Sequence, residues 1–434
     1  MKRTRRNFLA MTAAALAVPM FIPRTVFAQG NRPGANERLG IGAVGVGRFG
    51  SGLLERILRD ERTVGVSVCD VFRSRAEDVA RRCNITHVVQ DYRQVIEHPS
   101  VDAVMTATPD HWRPLINITA ALAGKHLYAE KPVSLTIEDG KLLRKAVQKT
   151  GITFQSGSQM RSNVQHYLGG KFIQEGKLGN ITEVIAANYE SPWLHDLPAE
   201  SMPDGLDWDM WCGPTEPVSF NNNIFLPRGE PGWLSLRPYS GGEMSDWGTH
   251  GMDLIQFALG MDNTGPVEIF VEGEKLVPPV YREPESRDRG NALCSQPRLT
   301  CRYANGVTIR LDPSGHRGGG IFIGERGRVE IVNDRFTSDP EGLAREYLEE
   351  HADLRRPSHI ADWLNCIYDS SQIPHGNLES GLRIAGLCHI LNIARYVGRN
   401  LEWDPVKEEF VNDAEANTWL KREHRQGFEF PVIM

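Results

Sequence analysis

Between Leu39 and Gln155, short apolar runs alternate with stretches whose apolar residues recur every three or four positions. The runs Leu39–Val44, Val64–Cys69, Val101–Ala107, His126–Ala129 and Thr153–Gln155 read as buried strands. Gly52–Leu58, Leu115–Ala123 and Ile137–Thr150 read as the helices between them. This alternation predicts an α/β domain over residues 37–157, built on a doubly wound parallel sheet. Past residue 158 the rhythm changes. Ile181–Asn188, Val267–Glu272, Leu299–Tyr303, Val307–Leu311 and Val329–Val332 are strand-like and separated by turns. They predict a second, α+β domain over residues 158–434 on a mostly antiparallel sheet, with a tail able to pack back on the first domain. The stretch Trp193–Tyr239 is rich in Trp, Pro, Asn and Gly and has no periodicity. Loops of that kind line a ligand pocket or simply decorate a surface.

Length and composition fit that division. The 434 residues are enough for two or three domains, and 40% hydrophobic with 24% charged residues describe an ordinary globular chain. The net charge of -6 is uneven, because Lys2, Arg3, Arg5, Arg6 and Arg24 all precede Gln29 and no acid does. Subtracting those five positive charges from -6 leaves -11. A body that acidic, with no basic stripe, argues against a nucleic-acid partner.

Residues 1–28 have the three parts of an export signal: a basic start, the apolar run Phe8–Ile22, and Val26-Phe27-Ala28 before Gln29. Arg5-Arg6-Asn7-Phe8-Leu9 resembles the twin-arginine signal, which addresses a translocase for folded proteins. Thr12 and Pro19 interrupt the apolar run, which is too short for a stable membrane anchor. The expectation is a signal peptide at residues 1–28, a linker at 29–36, and a periplasmic or otherwise exported protein. Seven cysteines, an odd number with no C-x-x-C spacing, do not organise such a fold through disulfides. That fits folding in the reducing cytosol around a cofactor that the exported protein then holds tightly.

The first strand leads into Gly45-Val46-Gly47-Arg48-Phe49-Gly50, a match to G-x-G-x-x-G. Its context is a strand before, a helix after and a second strand ending in Asp70, the arrangement of a dinucleotide-binding unit. Gly45 then makes the tight turn, Gly47 lets backbone approach a pyrophosphate, and Gly50 allows close helix packing. The phosphates meet a helix N-terminus, which favours negative charge. Asp70 suits an adenosine ribose diol and so favours NAD, while Arg73 and Arg75 just beyond leave NADP open.

Ligands of such sheets lie outside the carboxyl ends of the strands. Two polar clusters fall there: Thr106-Ala107-Thr108-Pro109-Asp110-His111-Trp112, and Glu130-Lys131-Pro132. His111 and Trp112 either reach a ligand or cap and pack the next helix. Lys131 is either a solvated lysine or one desolvated beside the cleft and able to exchange protons near neutral pH.

The densest chemistry of the second half is Ser240-Gly241-Gly242-Glu243-Met244-Ser245-Asp246-Trp247-Gly248-Thr249-His250-Gly251-Met252-Asp253, running into a helix that ends at Gly260. A helix starting near Ser245 places Asp246, His250 and Asp253 on one face. An aspartate one turn from a histidine can orient its ring. The same residues read as a helix-start Asp with a buried His, or as a metal pair. Without H-E-x-x-H or a third ligand, no metal is expected.

The G-V-G-R-F-G turn, Glu130-Lys131-Pro132 and Asp246-x-Gly248-x-His250-x-x-Asp253 together resemble the glucose-fructose oxidoreductase and inositol dehydrogenase (Gfo/Idh/MocA) family. Gly242-Glu243-Met244-Ser245-Asp246-Trp247-Gly248, the leader and Trp403-Asp404-Pro405 resemble its secreted bacterial subgroup. The resemblance implies a Rossmann domain followed by an open antiparallel sheet, and hydride transfer between NAD(P) and a sugar or cyclitol carbon. It places Lys131 beside the nicotinamide, with Asp246 and His250 completing the proton-transfer set. His250 is the preferred base, Lys131 polarises the same oxygen and Asp246 orients; an exchange of roles between Lys131 and His250 stays open. Implied nucleotide contacts are Gly45, Gly47, Arg48, Phe49, Gly50, Asp70, Arg73, Thr108, Pro109, His111, Glu130 and Lys131. Trp112, Gln159, Arg161, Asp246 and His250 are the implied substrate contacts. The resemblance also implies a homo-oligomer, dimer or tetramer, that buries the flat sheet face. It leaves open an NAD-dependent glycosidase and a non-catalytic sugar or nucleotide sensor.

Overall fold

The computed structural model describes residues 37–227, 232–282, 296–332 and 334–433. The expected signal peptide and the linker over residues 29–36, like Cys294, lie outside the described residues.

Strands β1 (Leu39–Val44), β2 (Thr63–Cys69), β3 (His87–Val89), β4 (Ala103–Thr106), β5 (His126–Ala129) and β6 (Phe154–Ser156) form one parallel sheet in the order β3-β2-β1-β4-β5-β6. β1 is buried along its whole length, as a strand covered on both faces must be, and so its sequence is apolar without alternation. Helices α1 (Arg48–Ile57), α2 (Arg73–Cys83), α3 (Tyr92–Ile96), α4 (Arg113–Leu122) and α5 (Ile137–Thr150) connect the strands. The unit α2-β3-α3 escapes the hydrophobic pattern. α2 buries only Ala76, Val79 and Ala80 among its charges, and β3 is three residues long. α5 opens on a capping box in which Thr136 accepts from Asp139 N (3.1 Å) and Asp139 accepts from Thr136 N (2.9 Å), worth about 1 kcal/mol. Strand order reverses between β1 and β4, which opens a crevice at their carboxyl ends.

The second sheet comprises β7 (Ile181–Ala187), β8 (Glu268–Glu272), β9 (Arg298–Arg302), β10 (Thr308–Asp312), β11 (Gly319–Gly324), β12 (Gly327–Val332), β13 (Arg335–Asp339), β14 (Leu401–Asp404) and β15 (Glu409–Phe410). Its order is β13-β12-β11-β7-β10-β9-β8-β14-β15, antiparallel except for the pair β7 and β10. Helices α6 (Val164–Gln174), α7 (Trp247–Ala258), α8 (Gly342–Glu350) and α10 (Leu378–Val397) pack on one face around Leu168, Met252, Ile255, Tyr347 and Ile384. The other face carries cross-strand ion pairs: Arg310 with Glu183 (2.8 Å), and Arg302 with Glu268. Exposed pairs of this kind add little stability.

The two domains share more chain than a boundary at residue 158 implies. Between α8 and α10, α9 (His359–Tyr368) places Trp363 and Leu364 in the core under β1. α10 joins both cores, through Leu382 and Ala385 on one side and Leu387 and Leu391 on the other. The tail returns as well, with Phe428 and Phe430 against the first domain's core. α10 is buried nearly all round, so it lacks the amphipathic stripe that reveals a surface helix. The described cysteines are free thiols, and among the described residues no helix is long and apolar enough to cross a membrane.

Candidate active site

A cleft of about 650 Å³ lies at the reversal point, within the usual range for small-molecule sites. Gly45, Gly47, Arg48, Phe49, Asp70, Thr108 and Pro109 line one end. Gly45 takes φ +81°, and a Cβ there would stand 2.8 Å from Thr108 N. A Cβ on Gly50 would stand 2.0 Å from Gly45 O, so the motif's last glycine serves helix packing and does not line the cleft. A Cβ on Gly47 would meet only Arg75 Nη1 at 3.6 Å, which leaves room above the backbone. Gly47 caps α1 with no side-chain hydrogen bond, so this helix end faces the cleft with backbone amides that suit an anion.

Asp70 is 5% exposed. It accepts from Val46 N (3.0 Å) and Phe72 N (3.0 Å), and Arg75 Nη1 stands 3.5 Å away. Burial pushes its carboxyl above the usual range against these partners. A carboxylate has about four acceptor positions, so capacity is left for ribose hydroxyls. Glycine turn, bare helix end and buried aspartate together fit a dinucleotide.

At the other end Glu130, Lys131, Gln159, Asp246, Trp247 and His250 line the same cleft. Lys131 follows β5, and its ammonium contacts Asp246 Oδ1. Asp246 sits at the N-cap of α7 yet makes no capping hydrogen bond; its carboxylate turns to Lys131 instead. His250 lies one turn into α7, its ring 5.8 Å from that of Trp247. Burial first, then the positive charge of Lys131, hold its pKa well below the ordinary value of 6.5, so the ring is neutral at pH 7. Gln159 Nε2 donates to Glu130 Oε1 (2.6 Å) and to Tyr128 Oη (3.3 Å), and burial raises the Glu130 pKa.

A buried network holds this end in place. Asp110 has no exposed surface and receives Arg113 Nη1 (2.7 Å) and Ser240 Oγ (2.8 Å). The same Arg113 nitrogen reaches Lys131 O (2.5 Å). Asp110 thus joins the loop bearing Lys131 to the loop that leads to Asp246. Sequence reasoning missed Arg113, although its position three residues after an aspartate at a helix start was the available signal.

Three expected contacts, Arg161, Arg73 and His111, fall elsewhere, as does Asp253. The helix begins at Trp247, near Ser245 as expected, but Asp253 points away from the cleft into a buried pair with Arg161 (2.7 Å). Arg161 also meets Asp262 (2.7 Å) and so is a structural cation, not a substrate contact. Arg73 pairs with Glu77 on the exposed face of α2; Arg75 lines the cleft in its place, because it lies beside Asp70 and over the Phe225 ring (5.1 Å). His111 is buried beneath the cleft wall, where Nε2 donates to Trp211 O (2.9 Å) and burial lowers its pKa to about 4. Trp112 does line the cleft, but its indole N–H is spent on Met210 O (2.9 Å) and Trp211 O (3.1 Å). Among the described residues no group of three or more His, Cys, Asp or Glu could hold a metal ion.

The aperiodic stretch 193–239 has a core of its own, which includes Trp193, Trp208, Trp211, Phe225, Trp233 and Tyr239. Trp208 and Trp211 stack at 4.4 Å. Asp207 N donates to Val71 O (2.9 Å) and Arg73 N to Gly205 O (3.1 Å), which stitches this lobe to the segment after β2. Met210, Trp211, Phe225 and Trp233 also line the cleft.

Fold and site define a two-domain protein with a nucleotide-binding Rossmann domain and a polar centre where the domains meet. The profile described as "Oxidoreductase family, NAD-binding Rossmann fold" matches residues 39–158, and "Oxidoreductase family, C-terminal alpha/beta domain" matches residues 171–430. The chain belongs to the Gfo/Idh/MocA oxidoreductase family. It is 24% identical over 275 residues to the uncharacterized oxidoreductase YrbE of Bacillus subtilis, covering 63% of this chain and 66% of that one. It is 34% identical over 114 residues to the scyllo-inositol 2-dehydrogenase (NAD(+)) of the same organism, covering 26% and 33%. These matches span a third to two thirds of the relatives' lengths. The fold is shared with an oxidoreductase domain protein from Kribbella flavida, with TM-score 0.59, 19% identity, and 84% and 99% of the two chains covered. It is shared also with the WlbA dehydrogenase of Bordetella pertussis, solved with NADH and UDP-GlcNAcA, with TM-score 0.55, 19% identity, and 83% and 96% covered.

Proposed function

We propose that the protein oxidises a hydroxyl-bearing carbon of a sugar, sugar derivative or cyclitol, or runs the reverse reduction, with NAD as the redox partner. The observation that carries this reading is the meeting of Lys131, Asp246 and His250 in the cleft that also holds the glycine turn and Asp70. Bound NAD supplies the hydride acceptor. The chain's own residues handle the proton. As the carbinol becomes a carbonyl its O–H proton must leave, and the neutral imidazole of His250 accepts it. Lys131 donates to the same oxygen, and Asp246 holds the lysine in place. The named activities of the inositol relatives agree with this substrate class.

The proposal includes export by the twin-arginine route, supported by Arg5-Arg6 and the apolar run behind it. It includes tight cofactor retention, supported by the lobe stitched over the segment after β2. A homo-oligomer is part of the same reading, through the flat face of the second sheet.

The test is to denature the purified protein and identify released nucleotide by mass spectrometry, then follow nicotinamide absorbance against a panel of sugars and cyclitols. Absence of any nucleotide, with no binding of added NAD or NADP, sinks the reading. Release of an aglycone without net change in nicotinamide absorbance moves the assignment to a redox glycosidase.

A further inference from the structure

A second cavity, of about 230 Å³, lies where α10, the segment after Lys131-Pro132, the end of the aromatic lobe and the C-terminal tail meet. It shares no lining residue with the catalytic cleft. Its wall holds three cations, Arg237, Lys421 and Arg422, and no aspartate or glutamate. None of the three makes an ion pair among the described residues. Arg237 lies over the rings of Trp419 (4.7 Å) and Tyr396 (5.5 Å), and Arg422 Nη1 donates to the backbone O of Arg237 (2.7 Å). The guanidiniums are therefore placed by rings and a carbonyl, with donors left over.

Three cations gathered around one cavity repel one another. Burial and the charge of Arg237 push the Arg422 pKa down, and Asp139 and Asp110 offset this only in part. An acidic chain has carboxylates to spare for such a cluster, and none lines the cavity wall. Thr136 adds a hydroxyl to the wall; it accepts from Asp139 N and keeps its own proton to donate. Arginine forks and a lysine point charge are the side chains that recognise phosphate oxygens.

We propose that this cavity is a binding site for a phosphate group, held by Arg237, Lys421 and Arg422. The group is either free inorganic phosphate or the phosphate of a small ester, since the cavity is larger than the anion alone.

The experiment is titration of the purified full-length protein with inorganic phosphate and, separately, a hexose phosphate at constant ionic strength. Binding is read by calorimetry and by the rise in Tm. Saturable one-to-one binding, weakened at least tenfold by both Arg237→Gln and Lys421→Gln, is the expected result. Equal affinity for the two probes identifies free phosphate, and tighter binding of the hexose phosphate identifies an ester. Lys421 is exposed, so Lys421→Glu keeps the fold; it should abolish phosphate binding while raising the Tm of the ligand-free protein. No saturable binding of either probe, or binding unchanged in the variants, overturns the proposal. The result is independent of the dehydrogenase reading, because nucleotide binding in the cleft is measured separately.

Discussion

Arg161 offers the sharpest test of how this protein is held together, because its sequence position suggested substrate and its surroundings show a buried ion network. Its side chain is 6% exposed and meets Asp253, 3% exposed, and Asp262, 30% exposed, each at 2.7 Å. Even with that partner, burial raises the Asp253 pKa to about 6. A carboxyl raised from an ordinary 3.8 to about 6 binds a proton in the folded state that the unfolded state has already released. Stability therefore falls as pH rises from about 4 to about 6, by about 3 kcal/mol in all, and is flat above.

Arg161→Met removes the counter-charge and moves the Asp253 pKa higher still. The fall then continues past pH 6, and the gap between variant and wild type opens on the alkaline side. Leaving a buried charge unpaired costs about 3–5 kcal/mol, so urea melts should show that loss at pH 8 and about 1 kcal/mol or less at pH 5. Adding Asp253→Asn should remove most of the pH dependence. An equal loss at both pH values refutes the reasoning, as does a raised KM for substrate with unchanged stability.

Other outcomes follow from the cleft. His250→Gln should lower kcat by about 10²–10⁴-fold and leave nucleotide retention, read by mass spectrometry, unchanged. Because the folded His250 pKa lies well below 6.5, kcat/KM for oxidation should hold level from pH 8 down to pH 6 and decline only at more acid pH; a half-loss near 6.5 would assign the base elsewhere. Gly50→Ala drives a methyl into Gly45 O and should abolish nucleotide retention while the second domain's near-ultraviolet signal persists. Arg113→Met strands Asp110 and frees Lys131 O. It should cost about 3–5 kcal/mol in a denaturant melt, with a double-mutant cycle against Asp110→Asn showing strong coupling.

Much of the first domain was legible because buried parallel strands are written as continuous apolar runs. Leu39–Val44, His126–Ala129 and Ile137–Thr150 coincide with β1, β5 and α5. α2 and β3 were not legible, since a helix that buries three small residues and a three-residue strand carry too little periodic signal. α10 was hidden for the opposite reason, being apolar on every side. At the site, glycine spacing and the strand-end positions of Asp70 and Lys131 are local properties, and the sequence alone determined them. Which of two neighbouring arginines enters the cleft, and which aspartate of Asp246 and Asp253 meets Lys131, depends on helix phase and on chain about a hundred residues away. Only the tertiary structure decided that Arg75 stands beside Asp70, that Arg161 claims Asp253, and that the aromatic stretch 193–239 folds on its own core to wall the cleft. The physical reason is that a buried charge is placed by whichever partner compensates it, and that partner is fixed by packing, not by spacing along the chain.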